Sequence, residues 1–468
     1  MQHSHYNSLS ARTFQVHYVH HLMSSICDTR PLRDVATGDD GGVYLGRTTH
    51  GDVTSGSQRS TLVLGPSRSG KTTSLIVPNL LLTQRSSVIT STKDDIVRTM
   101  ATARSDGAVL LFDPSGTIAT PTGVHRVGYS PVRQARTWDG AVLATRSLLD
   151  VQGHARHGRG EDHWSERASA LIAPLLHASA LRDESLAHVV SRIDHRQADD
   201  ALSLFEERYG PHHPATSLLS GIMKSEERER SGIWSSASGL FSGMRTEAAR
   251  QSARDAPLDV AAFLSGPHQL HIVSPSRHQA VATPLVVGMI DEIIHATYDS
   301  HHRGSRLLLA LDELANVAPL PRLASVVSEG GGQGVVTLAC LQDLSQARAR
   351  WGTQADGFLS LFSTTVVLPG IADRPTLELL QQLGGRSMVS TPTWQRDRRG
   401  RTNGHSLSWH EHDNVSIAEL AQGRAGYALT LNAAKSMQWV GLTPSYRDYR
   451  FRPYLERPSL AEDRSRER

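Results

Sequence analysis

The stretch Thr61–Leu82, TLVLGPSRSGKTTSLIVPNLLL, decides the fold, because it reads in turn as a strand, a glycine-rich loop and a helix. Leu62, Val63 and Leu64 make the short apolar run of a buried strand, and Leu75, Ile76, Leu80 and Leu81 recur at helical spacing after the loop. Between them Gly65, Gly70, Lys71 and Thr72 satisfy G-x-x-x-x-G-K-[ST], and each position has a physical task toward a nucleoside triphosphate. Gly65 and Gly70 carry no Cβ to hold the backbone away from phosphates. The loop Gly65, Pro66, Ser67, Arg68, Ser69, Gly70 then offers its amides as an anion nest, reinforced by the positive end of the helix that starts near Lys71. The Lys71 ammonium would neutralise the β and γ phosphates, the Thr72 hydroxyl would take a place on Mg²⁺, and Thr73 stands behind it as a second hydroxyl. ATP and Mg²⁺ are therefore the expected cofactors. A chance glycine-rich turn would lack the flanking strand and helix.

With 468 residues the chain can bury a sizeable core in two or three domains. Its 49 Lys and Arg against 46 Asp and Glu leave a net charge of only +3, so any surface for nucleic acid must be local. Two cysteines, Cys27 and Cys340, exclude a disulfide framework and fit a reducing compartment, with Cys340 placed in an apolar run as a small core residue. No apolar stretch approaches the roughly 20 residues of a membrane helix, and no signal-peptide core is present. A soluble, cytoplasmic chain is expected. Residues 1–41, rich in His, Ser, Asp and Gly, read as a poorly packed extension.

After the phosphate loop, Ser87–Thr90 and Val109–Phe112 are further short apolar runs, each followed by polar residues. Strands separated by helical patterns predict an α/β fold with a mainly parallel sheet over 42–137 and 256–445, whose ligands bind beyond the carboxyl ends of the strands. Strand signals stop from about Trp138 to Asp255. There Trp164, Ala168, Leu171, Ile172, Leu175 and Leu176 share one helical face, which predicts an all-α block inserted at 138–255. His154, His157 and His163 precede it in a loop read as solvated rather than metal-binding, since no ligand spacing supports a site.

The α/β pattern resumes at Gln269–Val273, and Arg306–Leu311, RLLLAL, ends in Asp312-Glu313. A buried strand that delivers two acids at its carboxyl end supplies what a phosphate loop lacks. Asp312 would hold Mg²⁺ through its waters, and Glu313 would orient and deprotonate the attacking water. The alternative, that both acids cap the next helix, weakens beside a phosphate loop. Val335–Leu341 ends in Gln342, an amide placed to contact the γ-phosphate or the lytic water. Arg348, Arg350 and Arg374 follow later strands and are arginine-finger candidates, although each alone also reads as a surface arginine. Alternation over Ser387–Glu411 predicts an exposed hairpin whose turn carries Arg396, Arg398, Arg399 and Arg401, either to meet phosphates or as a solvated charged loop. Residues 446–468 read as a polar tail.

With these motifs placed, the chain resembles the TraG/TraD-type conjugative coupling proteins of type IV secretion, with their TraM-recognition region, which are HerA/FtsK-like P-loop ATPases. The residues that carry the resemblance are GPSRSGKTTSLIVPNLLL (65–82), HWSERASALIAPLLHASAL (163–181), LLLALDELANVAPLPRLASVVSEGGGQG (307–334) and TLACLQD (337–343). It implies a RecA-like motor with an all-α domain. It further implies a homo-hexameric ring that couples ATP hydrolysis to delivery of single-stranded DNA, with its relaxase, to a type IV secretion channel. By resemblance Lys71 and Thr72 match the phosphate loop, Asp312 and Glu313 the metal and base positions, and Gln342 the polar position after the next strand. Lys93 matches its counterpart loosely, since Ser91-Thr92 replace the usual aspartate. Family members usually begin with membrane-spanning helices. Their lack here points to a soluble relative, a truncated reading frame or a protein recruited peripherally to the inner membrane by a partner. A chromosome-segregation or protein-export motor, or a nucleotide-binding adaptor without turnover, are the alternative readings.

Overall fold

Apolar runs joined by helices long enough to cross a sheet pair in parallel, and here they build one large sheet. The computed structural model describes residues 42–103, 107–153, 161–396, 402–432 and 436–455. Its strands are β1 (Tyr44–Thr48), β2 (Gly51–Thr54), β3 (Thr61–Leu64), β4 (Ser86–Ser91), β5 (Val109–Phe112), β6 (Val124–Arg126) and β7 (Gln269–Val273). They continue with β8 (Leu307–Leu311), β9 (Val335–Leu341), β10 (Thr364–Val367), β11 (Arg386–Arg396), β12 (Thr402–Asp413), β13 (Tyr427–Leu431) and β14 (Met437–Gly441).

Among the described residues, twelve of these strands form one sheet in the order β2-β1-β14-β13-β10-β3-β9-β8-β4-β7-β5-β6. From β10 to β6 every pairing is parallel, and every residue of β3, β4, β7, β8 and β9 is buried. A parallel sheet covered on both faces needs such continuous apolar runs, which is why they were legible. The other edge, β13-β14-β1-β2, is antiparallel.

Registers place the carboxyl ends side by side. Leu64 of β3 pairs with Leu341 of β9, and Leu311 of β8 pairs with Ala339 of β9. The residues after these strands, Gly65, Gln342 and Asp312, therefore emerge on one rim of the sheet.

After β3 a π-helical turn, Thr72–Ile76, runs into α1 (Val77–Leu82). Asn79 on α1 is buried and fixes this helix to the sheet: its amide donates to the Tyr44 and Leu75 carbonyls, and its oxygen accepts from the Tyr44 N–H at 2.8 Å. Among the described residues there is no strand between β6 and β7. The longer helices there are α2 (Trp138–Gly153), α3 (Glu161–Leu181), α4 (Leu186–His195), α5 (Asp199–Tyr209), α6 (Pro214–Met223) and α7 (Glu227–Leu240). Ala168, Leu171, Ile172, Leu175 and Leu176 are fully buried, whereas Trp164 on the same face stays 39% exposed. Trp164 lies across Gly232, where a Cβ would come within 2.5 Å of the indole, so the end of the stripe rests on a neighbour's backbone rather than in the core. The described residues all fall within one compact unit, Ala36–Arg468, so the helical block does not separate from the sheet.

β11 and β12 form a separate two-stranded sheet. The tip arginines Arg398, Arg399 and Arg401 lie outside the described residues, as do the loop histidines His154 and His157 and the whole of the expected N-terminal extension.

The polar tail expected from residue 446 does not begin there. Phe451 is fully buried and Tyr454 nearly so. Arg450 donates to Asp52 and Asp448, both at 2.6 Å, and to the Tyr44 hydroxyl at 3.1 Å, with side chains of the three charged residues 7 to 10% exposed. Charge dominated the sequence signal, but these charges are paired inside the fold. Of the four aromatics within nine residues, Phe451 and Tyr454 are the ones that pack, while Tyr446 and Tyr449 stay exposed.

Candidate nucleotide site

The loop between β3 and α1 needs its glycines for separate reasons. A Cβ on Gly65 would come within 2.7 Å of Leu368 Cβ and 2.8 Å of Ser69 Oγ, so the first glycine keeps the loop tight against the sheet. Gly70 has φ +95°, a backbone conformation that side chains disfavour. Arg68 also has positive φ, +65°, a strained place for a non-glycine residue and common in ligand-binding loops. Ser69 Oγ is buried with no hydrogen-bond partner, a polar atom held ready in the loop wall. The first amides of the following helix have no partner within the helix and carry its positive end.

Lys71 Nζ donates to the Gly65 carbonyl at 2.5 Å and to the Pro66 carbonyl at 2.8 Å. The ammonium thus folds over the loop, and a phosphate must exchange for these carbonyls to be held by it. Thr72 Oγ1 lies 3.0 Å from each carboxylate oxygen of Asp312 and donates to that group. This contact spans 240 positions of sequence and joins the two halves of the site. Glu313 is the next residue; its Oε1 accepts from Asn316 Nδ2 at 2.6 Å. Neither acid serves as a side-chain cap for the short helix Leu314–Val317 that follows, so that alternative is not what holds them.

Hydroxyl and carboxylate oxygens in contact are the hard donor set that Mg²⁺ prefers, with phosphate oxygens and waters supplying its remaining positions. Among the described residues no cluster of three or more His, Cys, Asp or Glu forms a metal site, and a magnesium-nucleotide site needs none.

Burial pushes the Asp312 carboxyl up to about 6, with Glu313 and Asp95 adding to the rise, while the Thr72 hydrogen bond and Lys71 oppose it. The raised value means that the fold loses stability from this group as pH rises from its ordinary 3.8 through about 6, a cost that a bound cation relieves. It also means that protons compete with Mg²⁺. The magnesium concentration needed for nucleotide binding is expected to rise about tenfold per pH unit below about 6. Magnesium titrations of nucleotide binding at pH 7.5, 6 and 5 check this against Asp312→Asn, which retains only the nucleotide's own protonation. Parallel profiles for the two proteins would rule out Asp312 as the competing group.

Gln342 follows β9, between the β3 and β8 ends, and its N–H donates to Gln346 Oε1 at 2.9 Å. The finger candidates divide. Arg348, on α8 (Leu344–Trp351), is engaged by Asp373 at 3.4 Å and Asp356 at 3.6 Å. Arg374 is exposed and pairs with Glu378 at 2.7 Å. Arg350 is partly buried, and burial lowers its pKa. Lys93 lies beyond β4, its N–H bonded to Ser91 Oγ at 3.2 Å.

One contact comes from a segment that the motifs did not mark: the Ser445 N–H donates to the Thr73 carbonyl at 2.8 Å, directly behind the phosphate loop. No helix among the described residues is long and apolar enough to cross a membrane.

A family model for type IV secretory system conjugative DNA transfer matches residues 27–413. The conjugal transfer protein TraG of Escherichia coli is 27% identical over 316 residues, an alignment covering 62% of this chain and 49% of that relative. A second TraG from the same organism is 26% identical over 319 residues with the same coverage, so the chain spans about half the length of these relatives. Among solved structures, the bacterial conjugative coupling protein TrwBdeltaN70 in unbound form has a TM-score of 0.63 at 19% identity, covering 82% of this chain and 85% of that one. TrwB with the non-hydrolysable ATP analogue ADPNP has a TM-score of 0.63 at 20% identity, covering 83% and 86%. TrwB with ADP and Mg²⁺ has a TM-score of 0.61 at 20% identity, covering 83% and 85%. This likeness gives the fold, a RecA-like α/β fold with a large, mainly parallel central sheet, as the sequence led one to expect.

Proposed function

The chain belongs to the type IV secretory system conjugative DNA transfer family, and on that premise we propose that it is an ATP-hydrolysing coupling protein that moves single-stranded DNA toward a secretion channel. The observation that carries the hydrolytic reading is the Thr72–Asp312 hydrogen bond at 3.0 Å, which puts the loop hydroxyl and an acid of β8 where one cation can reach both. Lys71 binds the terminal phosphates. Glu313, held by Asn316, accepts the proton of the attacking water, and Gln342 contacts the γ-phosphate or that water from between the two strand ends. Mg²⁺, when bound, neutralises charge on the phosphate oxygens. TrwB is described in complex with ADP and Mg²⁺, which supports the same pair of ligands for this chain. Partners in this reading are DNA with its relaxase, the channel components at the inner membrane, and further copies of the chain in a homo-hexamer, with one of Arg348, Arg350 and Arg374 reaching a neighbour's nucleotide.

The test is ATP hydrolysis by purified protein of known oligomeric state, with and without single-stranded DNA. Stimulation by DNA is expected, together with affinity that falls with salt at a log–log slope of about −0.7 per phosphate neutralised. Hydrolysis indifferent to DNA, with cargo affinity indifferent to salt, would favour a protein cargo and overturn the DNA reading.

A further inference from the structure

The groups that would handle the terminal phosphate all lie on one side of the phosphate loop. Gln342 follows β9 and Asp312-Glu313 follow β8, and both strands lie to the same side of β3. The end of a nucleotide remote from its γ-phosphate is left with the other side, toward β10, β13 and β14. The segment that follows β14 occupies that side, and it is fastened to the loop's own helix.

Pro78 accounts for the fastening. In the turn Thr72–Ile76 the hydrogen bonds reach back five residues, as the Val77 N–H does to the Thr72 carbonyl. In that register the next bond would run from residue 78 to the Thr73 carbonyl, and proline has no N–H to give. The Ser445 N–H supplies it instead, at 2.8 Å. Sequence thus leaves one carbonyl without a helical donor immediately behind Lys71 and Thr72, and the chain's C-terminal segment docks on it.

The next residue is Tyr446, which is 52% exposed although the chain around it is fixed. Ser445 and Asp448 are buried on either side, Phe451 is fully buried, and Arg450 ties the segment to Asp52 on β2. The Arg447 guanidinium stands 5.6 Å from the Tyr446 ring centroid. A half-exposed aromatic residue between buried neighbours, next in sequence to the residue bonded to the phosphate-loop helix, is suited to receive a flat heterocycle.

We infer that Tyr446 is the stacking platform for the nucleobase of the bound nucleotide. The assignment rests on the nucleotide-binding reading above and adds the part of the ligand that the phosphate loop does not touch. Because every base offers a π-face, stacking on Tyr446 holds adenine and guanine alike, and selectivity between them is weak.

Calorimetric titration of the protein with MgATP, MgGTP and magnesium tripolyphosphate tests this. Tyr446→Ala is expected to weaken ATP and GTP by the same factor, about 5- to 100-fold, and to leave tripolyphosphate within about twofold. Tyr446→Phe should retain wild-type affinity for all three, since the ring and not the hydroxyl does the stacking. ATP affinity unchanged in Tyr446→Ala, or ATP and tripolyphosphate weakened together, overturns the inference without overturning nucleotide binding by the wild-type protein. Failure of the wild-type protein to bind MgATP would instead overturn the nucleotide-binding reading itself.

Discussion

Glu313→Gln is expected to lower ATP turnover about 10²- to 10⁴-fold while leaving nucleotide and Mg²⁺ affinity within about twofold. The substitution keeps the side chain's size and its carbonyl oxygen, so Asn316 Nδ2, which donates to Glu313 Oε1 at 2.6 Å, can still hold it in place. What is lost is the capacity to take a proton. Asp312 keeps the Thr72 hydroxyl in contact, so the cation site is untouched. Single-turnover hydrolysis beside equilibrium binding separates the two quantities. Lys71→Ala is the contrasting case: it removes the ammonium that neutralises the terminal phosphates and should weaken binding as well as turnover. Turnover in Glu313→Gln equal to wild type would move the base elsewhere on the rim, with Gln342 excluded because an amide cannot serve.

Arg450→Ala is expected to destabilise the fold by about 3 to 5 kcal/mol, the cost of removing one partner from a buried ion pair. Arg450 bridges Asp52 on β2 and Asp448, with the side chains only 10%, 8% and 7% exposed, so its loss leaves two buried carboxylates without their close partner, Asp52 keeping only the longer 3.8 Å pairing with Arg47. Its guanidinium also lies 5.2 Å from the Phe451 ring centroid and 5.7 Å from that of Tyr44, contacts that alanine forfeits. Urea unfolding followed by circular dichroism measures the loss. A double replacement of both acids by Asn in the Arg450→Ala background should recover part of it, since the uncompensated charges are gone. A loss under about 1 kcal/mol would mean that the segment after β14 is held by its backbone bonds and Phe451 alone.

Much of the site was legible because its signals are local. The glycines of 65–70, the lysine and the threonine are adjacent in sequence, and the strand ending in Asp312-Glu313 announces itself by an apolar run that stops at two acids. What was not legible depended on neighbours far along the chain. Trp164 continues a buried stripe by spacing, yet it sits over Gly232 and stays partly in water. Arg348 reads equally as a finger candidate or a surface arginine, and its pairing with Asp373 and Asp356 could not be read from the sequence. The segment from Tyr446 reads as a tail because its charges dominate any hydropathy window, and only the pairing of Arg450 with Asp52 shows that those charges are interior.

The sequence by itself determined a strand–loop–helix of the phosphate-loop pattern and a set of parallel strands with polar ends, because backbone periodicity and glycine freedom act over a few residues. Only the tertiary structure decided that Thr72 meets Asp312 across 240 positions, and that the chain beyond β14 turns back onto the helix behind the phosphate loop. The reason is physical: strand order is settled by which edges find hydrogen-bond partners across the whole sheet. A carbonyl deprived of its donor by Pro78 is likewise satisfied by whichever amide the completed fold brings within reach.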